Sequence, residues 1–224
     1  MKILATVFTS FKHRDTFVIV ESCLNSLANL RESDQFDYKK EADYAIGRAI
    51  QTYGPRLVID CIPLHITGDE TSYEYPRSWM LPLLKENISK TELSFFITKI
   101  MPLAKKLKEK YTMLTRNNQL IEAKIFDNLQ SQFWSMFPGF CDHATDLNDS
   151  FKNIAKDLGE SLERSPDLRT YVLHGLRMLI LRSSGKIQNM QSILRQPHLL
   201  KILFKLVMLK KSICIIFCIC LSNF

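Results

Sequence analysis

TELSFFITKIMPLAKKLKEKYTMLT, residues 91–115, is the stretch whose reading decides the fold. Leu93, Phe96, Ile97, Ile100, Ala104, Leu107, Tyr111 and Leu114 recur every three or four positions. A helix gathers them on one apolar stripe, whereas a strand would scatter them over both faces. Lys105, Lys106, Lys108 and Lys110 lie largely off that stripe. Pro102 falls inside the pattern. It has no amide to donate and its ring presses on the preceding turn, which predicts a kinked helix rather than a straight rod.

A stripe of this length needs a partner, and the next segment supplies one. Over residues 118–137, Ile121, Ile125, Leu129, Phe133 and Phe137 follow helical spacing, Trp134 adds a large anchor, and Pro138 and Gly139 are expected to halt the helix. Phe151, Ile154, Ala155, Leu158 and Leu162 predict another helix, and Leu168, Val172, Leu176 and Leu179 the one after it, with Ser165, Pro166 and Asp167 as a start signal between them.

Upstream, Phe17, Val20, Leu24 and Leu27 predict a helix ending near Arg31. Ala42, Ile46, Ala49, Ile50 and Tyr53 predict a second, stopped by Gly54 and Pro55. Pro55 opens a shorter helix through Cys61, because a first helical position has no use for the missing amide. Residues 64–76, with Thr67, Gly68 and Asp69, show no helical period and read as a loop, and a helix resumes near Arg77. Residues 1–11 read as the edge of a helix and lack the length and cleavage site of a secretory signal.

Helix pairs of about 35 to 50 residues without strand alternation predict an all-α fold, an α-solenoid of antiparallel helix pairs of the HEAT or armadillo type. Composition agrees: 46% hydrophobic and 24% charged residues exclude disorder, and only 7 Gly and 8 Pro among 224 residues suit long helices. Residues 1–198 form the helical-repeat segment in this reading, and residues 199–224 a divergent, apolar, Cys-containing tail. The uncharged run 212–224 is shorter than the ~20 residues a helix needs to span hydrocarbon, and extending it inward brings in four lysines, so a membrane anchor is not expected.

Several blocks resemble the ribosomal RNA-processing protein twelve family. They are GRAIQTYGPRLVIDCIPL from Gly47, YEYPRSWMLPLLKENI from Tyr73, ELSFFITKIMPLAKKLKEK from Glu92, AKIFDNLQSQFWSMFPGFCDHATD from Ala123 and SFKNIAKDLGESLERSPDLR from Ser150. The run from Trp134 through Met136, Phe137, Pro138, Gly139 and Phe140 to Cys141 is the most characteristic. The resemblance implies a HEAT/armadillo solenoid acting in the nucleus and nucleolus, in rRNA processing and nuclear export of ribosomal subunits. The implied partners are pre-ribosomal particles and rRNA, with export receptors and a Ran-type GTPase. It also implies an internal segment of a longer protein. An importin-like transport adaptor that binds protein cargo or a small GTPase is the alternative.

The formal charge of +7 is unevenly placed: residues 1–100 hold 12 Lys/Arg against 13 Asp/Glu, and residues 101–224 hold 18 against 10. A basic half suits phosphate backbones or acidic partners, and Lys105, Lys106, Lys108 and Lys110 are the candidate RNA or phosphate contacts. No aromatic residues interleave with them as stacking platforms require.

No cofactor is expected, since the glycines are isolated and none forms a phosphate loop. No metal site is expected either: His13, His65, His143, His174 and His198 are widely spaced, and the six Cys lack zinc or disulfide spacing. Cys141 and His143, with Asp142, offer the one arrangement that could suggest a nucleophile. After a Pro-Gly pair, Cys141 reads instead as a small packed apolar group, and no catalytic residue or small-molecule substrate is expected.

Overall fold

The computed structural model describes residues 2–10, 17–68, 75 and 77–183, and among these residues every regular element is helical. The expected loop beyond residue 68 and the tail 199–224 fall wholly or largely outside the described residues. In chain order the helices are α1 (Lys2–Ser10), α2 (Phe17–Glu32), α3 (Lys39–Cys61), α4 (Met80–Asn87), α5 (Leu93–Phe95), α6 (Met101–Arg116), α7 (Leu120–Ser135), α8 (Phe137–Cys141), α9 (Leu147–Arg164) and α10 (Arg169–Ser183). A π turn, Phe96–Ile100, joins α5 to α6.

The expected break at Gly54 and Pro55 lies inside α3. Gly54 sits at φ 84°, ψ 161°, a left-handed φ that favours glycine, and Pro55 restarts the helix behind it. The expected kink at Pro102 takes a different form. The backbone stays helical through Phe95, Phe96, Ile100 and Met101, and the Met101 amide donates to the Phe96 carbonyl five residues back. This wider turn lets Pro102 enter the first turn of α6 without ending the helix.

The α6–α7 corner is a Schellman turn. Asn118 takes φ 60°, its amide donates to Thr115 O at 3.1 Å, and the Gln119 amide donates to Leu114 O at 2.9 Å. The helix that follows begins at Leu120, and its buried stripe is Ala123, Phe126, Leu129, Gln130 and Phe133. Ile121, expected on that stripe, is 82% exposed, because the buried face of α7 runs through Ala123 and Phe126 instead. Pro138 does not simply halt α7; it enters the first turn of α8, where a missing amide costs nothing.

Packing follows the stripes. α6 and α7 form the most extensive antiparallel pair, α1, α2 and α4 cover α3, and α10 closes on α8 and α9. Phe96 is the hub of the aromatic core, with ring centroids 5.7 Å from Trp134, 5.1 Å from Phe137 and 5.4 Å from Phe140. Gly175 of α10 packs so closely on this cluster that a Cβ there would lie 2.3 Å from Phe137 Cε1.

The α4–α5 and α8–α9 corners are tied to one another by polar bonds. The Lys90 amide donates to Asp142 O at 2.8 Å, and the Thr145 amide to Thr91 O at 3.1 Å. The Asp146 carboxylate accepts from the amides of Leu93 (2.6 Å) and Ser94 (2.9 Å), capping α5 from 53 residues away, and from the Ser150 hydroxyl at 2.7 Å. Burial pushes the Asp146 pKa up, but the hydrogen bonds from Ser150, Ser94 and Leu93 outweigh it and leave the group below the ordinary carboxylate value. Arg169 closes the α9–α10 corner, donating from Nε to Leu162 O at 2.6 Å and from Nη2 to Glu163 O at 3.0 Å.

Candidate functional site

All four lysines of the expected phosphate contact lie on α6, and the structure distributes them around the helix. At ~100° per residue, positions 105, 106, 108 and 110 fan out over more than half the circumference. Lys105 Nζ reaches Asp157 Oδ1 of α9 at 2.5 Å, an ion pair that offsets its charge. Lys106 lays its aliphatic stem beside Gly68, whose Cβ, were there one, would come within 3.2 Å of Lys106 Cγ. Lys108 Nζ stands 4.4 Å from the centroid of the Tyr111 ring, and Lys110 Nζ 6.0 Å from that of Phe126 on α7. Lys105 and Lys106 are exposed, while Lys108 and Lys110 are half-buried along their stems.

Cys141 and His143 do not form a nucleophile and base. Cys141 is fully buried; burial, then the charge of Asp142, hold its thiol well above the ordinary cysteine value, so it lacks the thiolate that nucleophilic attack needs. His143 is exposed at φ 58°, and its Nδ1 lies 3.0 Å from Asp142 Oδ1, which also accepts from Arg182 Nε at 3.1 Å. Cys61 is likewise held as a thiol, with a pKa pushed up to about 11 by burial and by Glu21 and Asp60. Among the described residues, no three His, Cys, Asp or Glu side chains converge as metal ligands, and no helix is long and apolar enough to cross a membrane.

Two clefts along α3 escaped the sequence reading. One, of about 550 Å³, runs between α1 and α3 and is lined by Lys2, Ala5, Thr6, Thr9, Lys40, Glu41, Tyr44 and Arg48. The other, of about 700 Å³, lies where Gln51, Thr52, Gly54 and Arg56 face Ser89, Lys90, Thr91, Glu92 and Thr145. Arg48 links the two: its Nη1 donates to Gln51 Oε1 at 2.6 Å, and Gln51 Nε2 donates to Asn87 Oδ1 at 2.8 Å. The signal in the sequence that could have found them is Lys40, Tyr44 and Arg48 spaced by four.

Antiparallel helix pairs stacked side by side, with corners bonded to corners, define a helical-repeat protein of the HEAT class. The family model for ribosomal RNA-processing protein 12, HEAT repeats, matches residues 1–206, and the chain belongs to that family. The RRP12-like protein of Homo sapiens is 40% identical over 179 residues, covering 80% of this chain and 14% of the human protein. The RRP12-like protein of Gallus gallus is 40% identical over 167 residues, covering 75% of this chain and 13% of its own length. Ribosomal RNA-processing protein 12 of Saccharomyces cerevisiae is 29% identical over 182 residues, covering 80% of this chain and 14% of the yeast protein. The chain therefore spans about a seventh of the length of these relatives.

Proposed function

We propose that this chain is a non-enzymatic scaffold segment in ribosome biogenesis, whose helical repeats hold pre-ribosomal RNA and particles during rRNA processing and the nuclear export of subunits. The observation that carries the reading is 40% identity to an RRP12-like protein across 80% of the chain, with relatives whose names specify rRNA processing. Its charge of +7 supports an RNA-facing role, because each phosphate neutralised releases counterions and adds salt-dependent affinity. In this reading Lys105, Lys106, Lys108 and Lys110 contribute general attraction to phosphate. The protein works in the nucleus and nucleolus, where export receptors and a Ran-type GTPase are further partners. Catalysis forms no part of the role, since its best candidate, Cys141, is closed off as a neutral thiol.

The test is sedimentation of the tagged chain from a nuclear extract through a density gradient at rising salt. Co-migration with pre-ribosomal particles, lost progressively as salt rises, is the expected result. Association with transport receptors alone would replace the scaffold with a transport adaptor.

A further inference from the structure

We propose that the water-facing stripe of α3 and the groove beside it bind single-stranded RNA, with the Tyr44 ring stacked on a base and Lys2, Lys40 and Arg48 on the flanking phosphates. This rests on the RNA-binding reading above and deepens it by naming a site and a strand state.

α3 is covered almost all round, with Ala42, Ala45, Ile46, Gly47, Ala49 and Ile50 buried. The stripe left to water carries Lys40, Tyr44 and Arg48 at i, i+4 and i+8, and continues to Gln51. Tyr44 is 57% exposed and contributes little to the core, which leaves a flat aromatic face open between two cations. Each cation stands about 6 Å along the axis from the ring, one helical turn, so long side chains reach the phosphates beside a stacked base. Lys2 faces the same groove from α1.

Two of the charges here differ from that of Lys105 on α6. Among the described residues neither Lys2 nor Lys40 enters an ion pair, whereas Lys105 is bound to Asp157. Arg48 is aimed by Gln51, which Asn87 holds in turn while donating its own Nδ2 to Leu83 O at 2.9 Å. Glu41 also lines the groove and offsets one cation, leaving a net positive wall. The exposed ring selects nucleic acid over an acidic peptide, because every base presents a π face and a carboxylate does not. It selects single strands because bases in an A-form duplex are stacked inside, away from a side chain on a helix surface. The second cleft lies beyond Gln51; there Arg56 Nη2 is paired with Glu92 Oε2 at 2.7 Å, so the track's cations are those of the first groove.

Fluorescence anisotropy with a short labelled oligoribonucleotide and the full chain tests the assignment. Tyr44→Ala should weaken single-strand binding about ten-fold or more, Tyr44→Phe should stay within about two-fold of native, and K40E with R48E should lose most of the affinity. Circular dichroism should show native helicity in each, and an unlabelled duplex should compete poorly. Equal losses in Tyr44→Phe and Tyr44→Ala would overturn stacking in favour of a hydroxyl contact. Native affinity in Tyr44→Ala, with loss on replacing the four α6 lysines, would overturn the groove and leave the scaffold reading standing. A chain that binds no single strand yet still co-migrates with particles would do the same. A chain that does neither would end both readings.

Discussion

Around Phe96 the chain concentrates its largest side chains: Trp134, Phe137 and Phe140 surround the ring, each no more than 3% exposed. Along α3 the buried positions carry no aromatic ring: small Ala42, Ala45, Gly47 and Ala49 alternate with Ile46 and Ile50, and Tyr44 faces outward with Arg48 half-exposed beside it. Both regions join helices, but by different means. Bulky rings lock the π turn, α7 and α8 into one arrangement through packing area, while smaller side chains join α1, α2 and α4 to α3 and leave its outer stripe to water. The difference separates what holds the repeat stack together from what the stack presents.

The largest effects should therefore fall at the aromatic junction. Phe96→Ala should cost about 3–5 kcal/mol, a large part of the ~5–15 kcal/mol that stabilises an ordinary domain. Urea denaturation checks this, and a midpoint close to native would show that the ring is not the hub. Gly175→Ala sets two effects against each other. Alanine favours a helix over glycine by up to about 1 kcal/mol, but its Cβ would lie 2.3 and 2.5 Å from the buried Phe137 ring. Displacing a rigid ring costs about 1–3 kcal/mol, so the net change should be a lower melting temperature. An unchanged or higher one would mean that the junction is looser than the α3 end.

Asp146 tests the same contrast through electrostatics, with an intermediate effect. Asp146→Ala should remove about 2 kcal/mol, since it leaves the amides of Leu93 and Ser94 without their acceptor. The folded pKa lies below the unfolded value of about 3.9, so the stabilisation is present above that pH and is lost as pH falls through the folded pKa. The gap in urea midpoint between native and Asp146→Asn should therefore be constant near neutrality and close below about pH 4. A gap that persists undiminished in stronger acid would break the link.

Much of this architecture could be read before any coordinates. The α3 break was visible because Gly54 and Pro55 act locally, one through a positive φ and the other through a missing amide. Helix pairing around residues 91–137 followed from periodicity alone. The π turn was not visible, since Pro102 signals only that an ordinary turn is strained, not how the strain is relieved. Ile121 fits the i, i+4 series that predicts the core, while the buried stripe begins at Ala123 and Phe126, because a strict spacing of four drifts around a helix of about 3.6 residues per turn. The positions of the α6 lysines were plain, but not their neighbours: Asp157 is 52 residues away, and Phe126 lies on another helix. Asp146 capping α5 is beyond any local rule for the same reason.

The smallest expected effect separates the two cationic surfaces most cleanly. Lys105 and Asp157 form a pair with side chains 52% and 27% exposed, so water screens it and its removal should change stability by under about 1 kcal/mol. Asp157→Asn breaks the pair without shortening either side chain and releases the Lys105 ammonium. If α6 carries the principal RNA contact, the freed cation neutralises one more phosphate, and the slope of log affinity against log salt should steepen by about 0.7 for a single strand. If the α1–α3 groove carries it, the slope should stay at its native value, since the groove's cations are untouched and a charge on α6 adds only a screened field. Anisotropy titrations at several salt concentrations distinguish the two, and a steepened slope would move the centre of binding from Tyr44 to α6.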